Sequence, residues 1–355
     1  MEINKSNRKN DFFSILPYVN FILSLLIVMH HSFTLNVDYN IEEKDIAWAV
    51  ERYLYNLSEC AVPVFFFFSA MLFYRNYDGS GKAYIIKLKK RIVSLLIPYV
   101  IFNTLGYLKH ILVSGKSFTV ISLIKSILTS DTMPLWFVRE LMIFIVLAPV
   151  IYYLKNKKII FGICTVIILP LITLGIAKYR TFLYWLPIYC LGAMFKIDWM
   201  MNIKSIKNIP RFVSGLFASK IIKYSILLGY LFWVWMLPNT TGIQGYVGNF
   251  NFYLFRVFSV PIVIAIFVHF NSSVNSVKRA PEIFNYSFWV YCVHFPMISI
   301  YRLVFEKVFL VKNSVMELIE YFSTIVVVYL GAICIAMIIK KIIPHLWKIL
   351  NGGRS

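Results

Sequence analysis

Long apolar stretches alternate with short polar connections from one end of the chain to the other. A helix needs roughly 20 apolar residues to cross the hydrocarbon core of a bilayer. Ten stretches approach that length, at about 12–34, 60–75, 92–112, 135–154, 159–177, 182–199, 221–237, 253–270, 285–305 and 319–341. The pattern predicts an all-α polytopic transmembrane helix bundle of about ten spans. The second stretch is short, and Trp48 to Leu57 reads as an interfacial helix leading into it. No gap is long enough for a soluble domain, so residues 1–355 read as one integral membrane domain, with 342–355 a short tail. No internal repeat is visible, and nothing suggests the inverted halves of a secondary transporter.

Charge gives the bundle an orientation. Lys and Arg number 36 against 16 Asp and Glu, a net charge of +20, which in a soluble protein would point to nucleic acid. Here the cations sit mainly in connections: the N-terminus, the even-numbered loops and the tail hold 24 when Arg75, Lys196, Lys223, Lys340 and Lys341 at the adjoining span ends are counted with them, the odd-numbered loops 8. The positive-inside rule then places both termini in the cytoplasm and argues for no nucleic-acid partner. Lys87, Lys89, Lys90 and Arg91, then Lys155, Lys157 and Lys158, and the stretch from Lys204 to Lys223 fall inside. Asp38, Glu42, Glu43, Asp45, Glu51 and Glu59 fall outside, as does a loop from Pro238 to Asn251. The first span lacks a small-residue cleavage site and reads as a signal anchor. Five scattered cysteines form neither a disulfide framework nor a metal-ligand pattern, so no metal is expected. No phosphate-cradling glycine loop or nucleophile elbow is present.

Polar groups inside the spans mark the candidate chemistry, because they are expensive there. In the first span, Asn20 and His31 lie eleven residues apart, which returns them to within about 20° of one helix face, with Ser24 close to it. His30 points about 100° away. The stripe either faces a cavity or bonds to neighbouring helices. Span four carries Arg139 and Glu140 in its outer half. Adjacent residues point about 100° apart, so at least one is expected to meet another helix. Span nine places His294 near mid-membrane and Arg302 toward the outside; His294 is either functional or satisfies backbone loosened by Pro296. Arg256 reads as a snorkelling side chain, and His110, His269 and His345 need no special role. The cations opening span three bind either cofactor phosphates or anionic lipid, and Pro98, Tyr99 and Asn103 either kink the helix or line a cavity.

Six phrases in order, VMHHS, VPVFFFFSAML, KKRIVSLLIPYV, PLWFVRELMI, YCLGAMF and YSFWVYCVHFP, cover nearly the whole chain. In them it resembles the integral membrane acyltransferases of acyltransferase family 3. The resemblance implies about ten spans and transfer of an acyl group, usually acetyl, from cytoplasmic acyl-coenzyme A to an extracytoplasmic glycan or other acceptor. It also implies residence in a bacterial cytoplasmic membrane. It maps the family histidine onto His31 and puts Asn20 where the family typically has a basic residue. Ser69-Ala70 stands where the family has Ser-Gly, and a proposed donor site falls on Lys89, Lys90 and Arg91.

The expected activity is therefore O-acyl transfer, with acetyl-CoA or another acyl-CoA as donor and a cell-envelope polysaccharide as acceptor. His31 is the candidate base, since imidazole titrates near operating pH, or else a nucleophile. Arg139 is the candidate to stabilise the oxyanion or orient the acyl carbonyl, and Glu140 to orient a neighbouring cation or histidine. Asn20, Ser24, Ser69, Tyr99 and His294 are candidate supporting groups. The rivals are a transporter or flippase for a lipid-linked glycan, and a degenerate family member acting as a scaffold or sensor.

Overall fold

The computed structural model describes residues 2–34, 45–195, 220–237, 245–273, 280–309 and 313–354. Among them every regular element is a helix, the form that satisfies backbone hydrogen bonds without water. Asp38, Glu42, Glu43 and the basic residues at 204–219 lie outside the described residues.

Helix α1 (Glu2–His31) carries the first span. Helices α2 (Ile46–Ser58) and α3 (Ala61–Tyr74) follow each other so closely that Ile46–Tyr74 is a single apolar stretch of 29 residues. The segment from Trp48 is thus part of the second span and not a separate interfacial helix. It is also the central column: 78% of its apolar window is buried, against 33–39% for the other long spans. Helix α10 (Phe182–Met194) packs along it. There a Cβ on Gly192 would sit 2.3 Å from the Phe67 carbonyl oxygen, so the crossing admits only glycine.

Span three also extends beyond its apolar core. Helix α4 (Gly81–Arg91), a π-helical turn (Ile92–Leu96) and α5 (Ile97–Ser114) form one stretch, Gly81–Ser114. Lys89, Lys90 and Arg91 therefore occupy the last turn of a helix rather than a loop. Helix α6 (Val120–Thr129) follows, unpredicted by the span pattern. Span four is broken: α7 (Trp136–Val146) and α8 (Ala148–Asn156) meet at 70°, because Pro149 opens the second piece and supplies no N–H to the first.

Helices α9 (Lys158–Thr173), α11 (Lys220–Met236), α12 (Gly245–Ser273), α13 (Ser287–Val308) and α14 (Ser314–Ile342) match the remaining predicted spans. Among the described residues, five stretches are long and apolar enough to cross a membrane, or six with the bent pair; shorter apolar helices have 10–17 residues. Large apolar side chains such as Leu112, Ile159 and Leu330 face outward, as lipid-facing residues do.

The tail is folded back. Helix α15 (Pro344–Leu350) buries Trp347, and Arg354 donates to the Ser94 carbonyl at 3.0 Å in the π-helical turn while lying over Phe288. Gly352, with φ of +61°, has no room for a Cβ beside the same carbonyl. Burial pushes the Arg354 guanidinium down to about 10, so it stays charged at neutrality.

Candidate active site

A cavity of about 430 Å³ opens at the C-terminal end of α1. His30, His31, Tyr55, Glu59, Arg256 and Tyr179 provide its polar wall; Trp136, Phe137 and Phe252 provide aromatic surface. It joins residues from α1, α2, α7, α12 and the 174–181 connection, which explains why no local motif announces it.

The end of α1 is anchored from three sides. Arg302 donates to the Ser32 carbonyl, satisfying a helix-end acceptor, and Tyr321 reaches the Met29 carbonyl at 3.4 Å. The amide and hydroxyl of Thr34 both donate to Glu51 at 2.8 Å. Bonding then fixes the neighbouring imidazoles. Ser58 gives its single hydroxyl proton to the Tyr55 carbonyl at 2.5 Å, so it accepts from Nδ1–H of His30 at 2.9 Å. That leaves Nε2 of His30 as a lone pair. His30 also stacks on Tyr55, with ring centroids 4.1 Å apart. His294 is fully buried and donates Nδ1–H to the Tyr291 carbonyl at 2.7 Å; its Nε2 is a buried acceptor without a partner. His31 lies between the two, with ring centroids 5.1 Å from His30 and 5.0 Å from His294. Neither nitrogen of His31 has a hydrogen-bond partner among the described residues.

The opposite wall holds a buried ion pair. Arg256 Nη2 and Nε donate to one Glu59 oxygen at 2.8 and 3.0 Å, and Nη1 donates to the Tyr184 hydroxyl. Its guanidinium lies 4.3 Å from the Tyr179 ring centre. This corrects the reading of Arg256 as a snorkelling residue: it points into the bundle because Glu59, at the joint of α2 and α3, gives it a partner.

The model for the acyltransferase domain of acyltransferase family 3 matches residues 16–340. The chain belongs to this family. The match runs across every span described above and identifies a membrane acyltransferase in general terms. No curated protein and no solved structure matches the chain.

Against this family background, the predicted site residues fall into separate places. His31 lines the cavity, and His294 backs it from inside the bundle. Arg139 and Glu140 do not line the cavity; despite pointing apart on α7 they pair, at 2.6 Å. Four Arg139 hydrogen bonds go to protein acceptors: Nε to Glu140, Nη1 to the carbonyls of Leu128 and Thr129, and Nη2 to the carbonyl of Arg180. These bonds tie α6, α7 and the 174–181 connection together. Ser24 bonds the Tyr329 hydroxyl at 2.8 Å, and Tyr99 donates to the Ile127 carbonyl, so both join helices instead of lining the cavity. Asn20 and Ser69 are partly buried away from the cavity, without hydrogen-bond partners among the described residues. The polar stripe on α1 is therefore divided between helix packing at Ser24 and the cavity at His31. His30, expected a quarter-turn off the functional face, shares the cavity wall because the wall curves around the helix end.

Lys89 and Lys90 are exposed and Arg91 is partly buried, with no ion pair among the described residues. Lys87 donates to the Phe73 carbonyl at 2.8 Å. Glu59, Tyr55, Ser58, Tyr179 and Arg180 were not singled out by sequence reasoning. One signal was available: a Glu just before one apolar run and an Arg within another, both assigned to the outer leaflet, are a natural pair.

Proposed function

We propose that this protein transfers an acyl group, usually acetyl, from cytoplasmic acyl-coenzyme A to a hydroxyl of an extracytoplasmic cell-envelope glycan, with His31 as the base. The bundle crosses a bacterial cytoplasmic membrane about ten times, with both termini inside. The observation that carries this reading is the His31 imidazole in the cavity wall, without a hydrogen-bond partner among the described residues and anchored on a helix end whose backbone is bonded on three sides.

In the reaction, His31 takes the proton of the acceptor hydroxyl as its oxygen attacks the thioester carbonyl carbon. The new C–O bond forms, the C–S bond breaks, and its electron pair leaves with sulfur. The proton held on His31 returns to that thiolate, releasing coenzyme A as the thiol. His294, whose Nε2 has no hydrogen-bond partner among the described residues, has its ring centroid 5.0 Å from that of His31, and in this reading a ring rotation lets it accept an N–H from His31. This bond would turn the other His31 nitrogen to the acceptor and stabilise the imidazolium, the part an orienting group plays beside a catalytic histidine. On the cytoplasmic side, Lys89, Lys90 and Arg91 hold the phosphates of the donor through charge.

Purified protein supplied with acetyl-CoA and a cell-envelope polysaccharide extract should release coenzyme A thiol and acetylate the polysaccharide. Movement of a lipid-linked glycan across vesicles without thiol release would establish a transporter and overturn the proposal.

A further inference from the structure

From the Lys178–Tyr179–Arg180 segment we infer that the acceptor is an anionic glycan, held by a carboxylate or phosphate group at the mouth of the cavity. The inference rests on the proposed transferase reading and names the acceptor's chemical class. All three residues line the cavity, with Lys178 and Arg180 exposed and Tyr179 half-buried between them. Neither cation has an ion pair or side-chain hydrogen bond among the described residues. The other acid and cation of the wall, Glu59 and Arg256, neutralise each other. Among the described residues the cavity therefore presents two uncompensated positive charges beside aromatic surface that suits the apolar face of a sugar ring.

The segment is also held in place, which an ordinary surface loop is not. The Tyr179 carbonyl accepts from Trp185 Nε1 at 2.6 Å, the Arg180 carbonyl from Arg139 Nη2 at 2.7 Å, and the Lys178 carbonyl from the Thr181 hydroxyl at 2.7 Å. Trp185 is fully buried, and Arg139 is itself fixed by Glu140. Buried Trp185 and part-buried Arg139 and Thr181 thus pin consecutive carbonyls so that the charged side chains are positioned before a ligand arrives, which reduces the ordering entropy of binding. The orientation drawn from charge makes the pair unusual as well, because it places these residues among the few cations outside, where topology gives them no task. A planar guanidinium and an ammonium flanking a tyrosine recognise an oxyanion attached to a stacked ring.

The test uses the purified full-length protein in phosphatidylcholine nanodiscs, with glucuronate, glucose 6-phosphate and glucose as probes and fluorescence of cavity tryptophan Trp136 as one readout of binding. Each anionic sugar should bind about tenfold more tightly than glucose. Lys178→Gln with Arg180→Gln should abolish that preference and leave coenzyme A binding unchanged. Equal binding of the three sugars by the wild type, or a preference that survives the double substitution, would overturn the inference. If the substitution instead changes only the retention of phosphatidylglycerol, the cations serve lipid headgroups and the inference also fails. Thiol release from acetyl-CoA is followed in the same preparation, so loss of the transferase reading and loss of the anionic preference register separately.

Discussion

At the scale of single residues, bonding around the imidazoles decides which of them is free to act. His294 commits its Nδ1–H to a carbonyl, His30 is held by Ser58, and among the described residues His31 alone of the three has both nitrogens without a partner. Loss of a general base typically lowers the rate by about 10² to 10⁴. His31→Ala is expected to show that loss in acyl transfer, at unchanged donor affinity. His30→Ala should reduce turnover less, by removing the Tyr55 stack rather than the proton acceptor; equal losses would place the base on either ring. The Glu59–Arg256 pair gives a stability prediction. Glu59→Gln leaves a buried guanidinium uncompensated and should destabilise the fold by about 3 to 5 kcal/mol, read as a lower unfolding temperature in detergent, because removing one partner of a buried pair leaves the other's charge unpaired. His31 was legible in the sequence, since a histidine at the end of an apolar run is costly without purpose. Arg139 was legible as a charge but not as a filled one: its acceptors are backbone carbonyls of α6 and the 174–181 connection, and carbonyl positions leave no trace in residue types.

At the scale of elements, hydropathy located the helices well and their joints poorly. The ten apolar stretches all coincide with helices, but α2 reads as interfacial in sequence because Glu51, Arg52 and Asn56 interrupt its apolar run. Each gains a partner from another element, Glu51 from Thr34, Arg52 from the Leu237 carbonyl and Asn56 from the Val234 carbonyl, although Arg52 Nε and Asn56 Oδ1 have none among the described residues. Tertiary partners thus let a polar helix enter the bundle. Its start is capped by Asp45, whose carboxylate accepts from the Ser314 hydroxyl and the Trp48 amide; these bonds hold it below the usual carboxylate range. Because its folded pKa is depressed, Asp45 contributes stability that is fully present above about pH 3.9 and is lost as pH falls through the folded value. Asp45→Ala should remove this acid dependence and destabilise by about 1 kcal/mol at neutral pH, measured by thermal unfolding across pH. On the cytoplasmic side, Lys90→Gln with Arg91→Gln should weaken acyl-CoA binding while insertion is preserved. Unchanged donor affinity would reduce that helix end to a topology signal.

At the scale of the whole molecule, the fold surrounds a buried central column with helices that each contribute one wall of the cavity. The cavity residues come from segments as far apart as Tyr55 and Arg256, so their convergence was not readable from spacing along the chain. The distribution of cations gives the proposed orientation, which predicts a cytoplasmic reporter after Ser355 and an outer one near Asn239. The reverse labelling would exchange the donor and acceptor faces. The central claim, that this membrane acyltransferase works through His31, is tested most directly by single-turnover transfer from labelled acetyl-CoA in matched wild-type and His31→Ala preparations. The account predicts that the variant binds coenzyme A as the wild type does and transfers acetyl at least about 100-fold more slowly. Transfer at the wild-type rate by His31→Ala would contradict it.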